Sequence, residues 1–104
     1  MYRDAVIFIA HEDSAPELRP GAAVLPGNAT TKGELFDELA SALHLPDYFG
    51  NNWDAFEETL GDIEPRDLIV RNARALWTQL PQEMALFVDV WLDNAPESQL
   101  VFFW

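Results

Sequence analysis

Cysteine is absent from the 104 residues. That excludes a disulfide framework, a thiolate zinc site and a cysteine nucleophile. Histidine occurs twice, as His11 and His44. His11 falls in an expected loop and His44 at a helix end, where a cation favours the dipole, so both read as surface residues. No Gly-rich phosphate loop, H-E-x-x-H or G-x-S-x-G stands in the chain, which points away from an enzyme. The longest apolar run, Ala5 to Ala10, falls far short of the ~20 residues of a spanning helix. It is also too short for a signal peptide and lacks a small-residue cleavage site. These absences predict a soluble, cytoplasmic protein that relies on its core alone.

Bases are scarce as well. Six face eighteen acids, for a net charge of −12 and a pI near 4.2. Such a surface repels phosphate backbones and anionic membranes and favours a basic partner. Acidity often does no more than maintain solubility, but here it is concentrated. Asp47, Asp54, Glu57, Glu58, Asp62, Glu64 and Asp67 lie in one segment whose only base is Arg66.

What is present reads as one small α/β domain over residues 1–104. Hydrophobic residues make up 49%, enough for a packed core. The β-branched run Ala5–Ala10 predicts a strand, and residues 11–21, with two prolines and a glycine, predict a loop. Residues 22–25 form a second apolar run closed by the turn signal Pro26-Gly27-Asn28. Thr31 and Glu34 fit a capping box before a helix from Lys32 to Leu43, which Pro46 ends. A second helix opens at Asn51 or Asn52. On it, Trp53, Phe56 and Leu60 lie within about 60° as a core stripe, with Asp54, Glu57 and Glu58 centred about 120° away. Asp67–Val70 predicts a strand, Ala73–Leu80 a short helix, Gln82 to about Asp93 an amphipathic helix and Leu100–Trp104 a final strand. Strands alternating with helices imply parallel pairing.

Asp54 and Glu58 stand one helical turn apart. Carboxylates so spaced could serve a hydrolase or hold Mg²⁺ or Ca²⁺, but such pairs are common on solvated faces. Like charges at this spacing destabilise an isolated helix by about 0.2–0.5 kcal/mol per pair. The N-terminal dipole offsets this for Asp54 better than for Glu58. An interface with a partner's arginines and lysines accounts for the stripe more sharply. Tyr48 and Phe49 add aromatic area beside it, although Phe49 is read as packing on the first helix.

The stretch Leu45-Pro46-Asp47-Tyr48-Phe49-Gly50-Asn51-Asn52-Trp53-Asp54-Ala55-Phe56-Glu57-Glu58 resembles the barstar family of ribonuclease inhibitors. The shared pattern is a proline, an acid, two aromatics, a glycine, then Asn and an Asp-Ala pair opening the second helix. The likeness runs ungapped from about Ala22 to Asn72 and, after a short deletion, over the last helix and Leu100–Trp104.

The resemblance implies a three-stranded parallel sheet flanked by helices, and no cofactor. It also implies a monomer that inhibits a basic ribonuclease one-to-one, as an antitoxin or immunity protein does. In the family, the second helix and the loop before it plug the nuclease active site. By position the contact residues are Tyr48, Gly50, Asn52, Asp54 and Glu58, with Glu57 and Asp62 on the same acidic helix. Glu58 takes the phosphate-mimic place. The family has Asp at Glu58 and tryptophan at Glu57 and at Ile63, and its acid on the last helix falls at Leu92 or Asp93. The first 21 residues are an addition to the family pattern, with Ala5–Ala10 an extra strand and Ala22–Leu25 the family's first strand. Alternatively, Ala5–Ala10 is that first strand, followed by a long loop. Two other classes remain: an acidic module for a basic non-nuclease partner, and a carboxylate-based enzyme.

With no Cys and no paired His, the acids are expected to bind no metal tightly. Calorimetric titration with Mg²⁺, Ca²⁺ and Zn²⁺ should show only roughly millimolar binding. A stoichiometric micromolar heat would revive a metal site.

Overall fold

The structure, a computed structural model, describes residues 7–10, 20–46, 52–63, 66–95 and 98–104. Among these the elements run β1 (Ile7–Ala10), β2 (Ala23–Leu25), α1 (Lys32–Leu43), α2 (Trp53–Asp62), β3 (Leu68–Val70), α3 (Ala73–Gln79), α4 (Pro81–Asn94) and β4 (Leu100–Phe103). The strands form one parallel sheet in the order β1-β4-β3-β2. Helices connect β2 to β3 and β3 to β4, as parallel pairing requires. The sheet has four strands where the resemblance implies three, with β1 beside β4 at one edge and β2 at the other. Residues 5 and 6 of the expected first strand, and the expected loop at 11–19, lie outside the described residues.

Register explains the core. Leu25, Val70 and Phe102 align across the sheet, as do Ala23, Leu68 and Leu100. All six are buried on the face covered by helices. Against them pack Leu35, Phe36, Leu39 and Leu43 of α1 and Met84, Phe87 and Trp91 of α4. The i, i+3, i+4, i+7 repeat of α4 is thus the period of a buried stripe. Pro81 does more than end α3. It occupies the first turn of α4, where its missing N–H costs nothing.

Asp67 departs from its sequence reading. Counted among the surface acids, it is 2% exposed. Its carboxylate accepts from Gln99 N–H at 2.9 Å, and its carbonyl accepts from Ala23 N–H at 2.8 Å. The Ser98 hydroxyl accepts from Arg66 N–H at 3.0 Å. These bonds lace the N-terminal ends of β2, β3 and β4 together.

The capping box at α1 is displaced by one residue. The Thr31 hydroxyl accepts from Glu34 N–H at 3.2 Å as expected. The Glu34 carboxylate, however, takes its short bonds from Thr30, at 2.8 Å to N–H and 2.9 Å to the hydroxyl. The Thr30 N–H first, then the Thr30 hydroxyl, hold the Glu34 carboxyl below the usual glutamate range, with Thr31 N–H adding less. Because folding lowers this pKa, its contribution is present above the ordinary glutamate value and fades as pH falls through the lowered one.

The turn after β2 depends on Gly27. Its φ is +80°, and a Cβ there would overlap the Arg71 carbonyl oxygen. Gly27 and Asn28 N–H both donate to the Glu38 carboxylate, at 3.1 and 3.0 Å, tying the turn to α1. Gly21 has a similar φ of +85° but open space around it. The pair separates conformation from crowding. Gly21→Ala should cost about 1 kcal/mol, the left-handed penalty alone. Gly27→Ala should cost about 3 kcal/mol or more, because backbone must also move. Denaturant melts of both variants check this, and equal losses would refute the crowding.

Candidate functional site

Helix α2 begins where Asn52 turns the chain. Its backbone is extended, and its side-chain oxygen accepts from Ala55 N–H at 2.8 Å. This decides between the two expected caps in favour of Asn52. From there the helix sorts its residues by angle. Phe56 and Leu60 are buried and Trp53 is half-buried, so the expected core stripe is the one that packs.

Trp53 is the hub of that packing. Its ring lies 4.6 Å from Phe36 of α1, 5.7 Å from Phe56 and 6.5 Å from Phe87 of α4. Tilted and edge-on contacts at these separations add to the burial itself. The indole N–H donates to Glu83 of α4 at 2.9 Å. Further along, the Asn94 amide of α4 donates to the Glu57 carboxylate at 3.2 Å and to the Val90 carbonyl at 3.0 Å. Helix α2 is therefore held to α4 near its start and near its middle.

The opposite side of α2 is acidic. Asp54, Glu57, Glu58 and Asp62 are all exposed, and the helix carries no base. Asp54, Glu58 and Asp62 follow at steps of four, so they drift only about 40° per step along one stripe. Glu57 sits between this stripe and the core stripe, and it is the acid that Asn94 engages. Asn52 is exposed at the head of the helix. Tyr48 and Gly50 lie outside the described residues. Nothing in the sequence around Asn94 or Glu83 marks either residue. Their partners are 37 and 30 residues away, so no local pattern could have announced them. On α4, Leu92 is half-buried and Asp93 exposed, which leaves Asp93 as the acid able to meet a partner there.

Among the described residues no three His, Cys, Asp or Glu side chains gather into a group that could hold a metal ion. No helix among them is long and apolar enough to cross a membrane. A face of three exposed carboxylates on a rigidly anchored helix suits a row of cations on another molecule.

The family model described as Barstar (barnase inhibitor) matches residues 24–103. This chain belongs to the barstar family. The match starts within β2 and ends with β4, so it takes in β3, β4 and all four helices and leaves β1 outside. Barstar is a family of inhibitors rather than enzymes. No curated protein matches the chain.

The cap at Asn52 has a measurable consequence. Asn52→Ala should lower folding stability by about 1 kcal/mol, while Asn52→Asp should be nearly neutral. Thermal melts of the two variants check this. Equal stability of the alanine variant and the parent would deny the cap its role.

Proposed function

We propose that this chain inhibits a basic ribonuclease inside the cell by laying the acidic face of α2 into the enzyme's active site. The observation that carries the reading is the division of α2 in a barstar-family fold. One side is locked to α1 and α4 by Trp53, Phe56 and Leu60, and the other displays Asp54, Glu58 and Asp62 to solvent. A ribonuclease must offer cations where RNA phosphates bind, and a carboxylate at a phosphate's position meets those cations without offering a bond to cleave. Glu58 serves as the phosphate mimic, and its extra methylene over the family's aspartate extends its reach. Asp54 supports it one turn earlier. Asn52 presents the helix start, and Tyr48 and Gly50, just before it in the sequence, complete the contact. Asp62 and Asp93 extend the acidic surface, and Glu57, engaged by Asn94, lies at its rim. Each chain blocks one nuclease, with no cofactor, and neither nucleic acid nor membrane is a direct partner.

Capture of the partner from the source cell, followed by RNA cleavage with and without this chain, tests the reading. A captured protein without nuclease activity would favour the basic non-nuclease partner. Glu58→Ala should cost about 2 kcal/mol or more of binding, the lower bound for hot spots, a range whose upper end comes from barstar itself. Much of that is the cost of leaving the nuclease's cations unpaired. Glu57→Ala should cost about 1 kcal/mol or less. Folding stability should not fall in Glu58→Ala, because a like-charge i, i+4 pair disappears. Undiminished binding by Glu58→Ala would overturn the phosphate-mimic role. Association should also slow markedly as salt rises, and a salt-independent on-rate would count against steering by charge.

A further inference from the structure

Strand β1 closes the sheet on one side, and no described strand pairs with its outer edge. The bond from Trp104 N–H to the Ala10 carbonyl, at 3.0 Å, fixes which backbone groups face which way. Ala10 and Phe8 direct theirs at β4, so Ile7 and Ile9 direct theirs outward. The Ile9 side chain is 69% exposed, more than any other large hydrophobic among the described residues. The strand reads IFIA, without a charge, proline or glycine, and so without the usual devices that blunt an edge. The opposite edge has them. β2 is three residues long, Pro26 follows it, and Asp37 and Glu38 line the groove beside Val24.

We propose that β1 pairs with β1 of a second copy of this chain, antiparallel about a twofold axis at Phe8, continuing the sheet through both copies. In this register Ile7 of each copy faces Ile9 of the other. Both are hydrogen-bonded pairs, each exchanging two backbone bonds. The exposed Ile9 side chain then lies against a half-buried Ile7 on the same face. A second copy is the occupant for two reasons. Any partner must bring an unpaired strand edge, and each copy brings one that is complementary to itself under a twofold. A net charge of −12 drives copies apart through most surfaces, whereas β1 carries no charged side chain.

The pairing does not depend on nuclease inhibition. β1 lies outside the matched residues 24–103, and α2 packs chiefly on α4, so the acidic face of each copy stays free. A four-residue strand covers less than the ~1,000 Å² of a stable interface, so association is weak. Its salt dependence has the opposite sign to binding a basic partner, because screening relieves repulsion between two acidic copies.

Sedimentation equilibrium of the full chain at about 0.02 M and about 0.5 M salt reads this directly. The dimer should tighten roughly tenfold or more at the higher salt. Ile9→Lys should abolish association at both, and Ile9→Val should retain it. A chain that stays monomeric at millimolar concentration in high salt overturns the proposal, as does a dimer indifferent to Ile9→Lys. Amide exchange in the unaltered chain guards against a folding defect in the variant. The Ile7 and Ile9 N–H groups should exchange more slowly as protein concentration rises, and concentration-independent exchange likewise overturns the pairing.

Discussion

The contact of Trp53 with Phe36, Phe56 and Phe87 is the interaction on which the rest of this molecule depends. Helix α2 has ten residues, too few to hold its own shape in water. It persists because one stripe is buried among aromatic rings from α1 and α4. The same cluster continues through Phe87 to Trp91, whose rings lie 5.9 Å apart, and so into the buried face of the sheet. Removing the hub would take away the ring contact of α2 with Phe36 of α1 and leave only Phe56 on Phe87, at 6.0 Å, and the Asn94–Glu57 bond to hold the helix to α4. The acids would keep their sequence positions on a helix anchored on one side only.

Charge and packing oppose one another on this helix. Four acids without a base repel along α2, and the macrodipole favours only those in its first turn. The structure answers this at one acid, where the Asn94 amide donates to Glu57, while Asn52 caps the helix start. Asp54, Glu58 and Asp62 remain displayed toward solvent. A stability optimum would have placed lysines among them, so helix stability does not account for the stripe.

The sheet shows how one chain treats its two edges differently. At β2, the buried side chains of Ala23 and Leu25 face the helices, and the strand ends at once in Pro26 and the tight Gly27 turn. At β1, an apolar strand stands beside β4 with its outer backbone unpaired among the described residues. The family span ends at β4, and β1 moves the sheet boundary outward by one ladder.

Local signals determined a large part of this architecture. The apolar runs of β2, β3 and β4, the stripe of α4 and the division of α2 into core and acidic faces were legible because each is a periodicity within a few turns or residues. Thr31, Asn52 and Pro46 marked helix boundaries because capping and proline sterics act on neighbours along the chain. The fourteen-residue stretch from Leu45 to Glu58 carried the family and the acidic candidates Asp54 and Glu58. Tertiary structure alone decided what depends on distant residues. It turned Asp67 inward to serve Gln99, set Asn94 on Glu57 and Glu83 on Trp53, and exposed Asp93 rather than Leu92. It also placed β1 beside β4 instead of β2. Partners some 30 residues apart leave no local pattern, because only the folded backbone brings their hydrogen-bonding groups within reach.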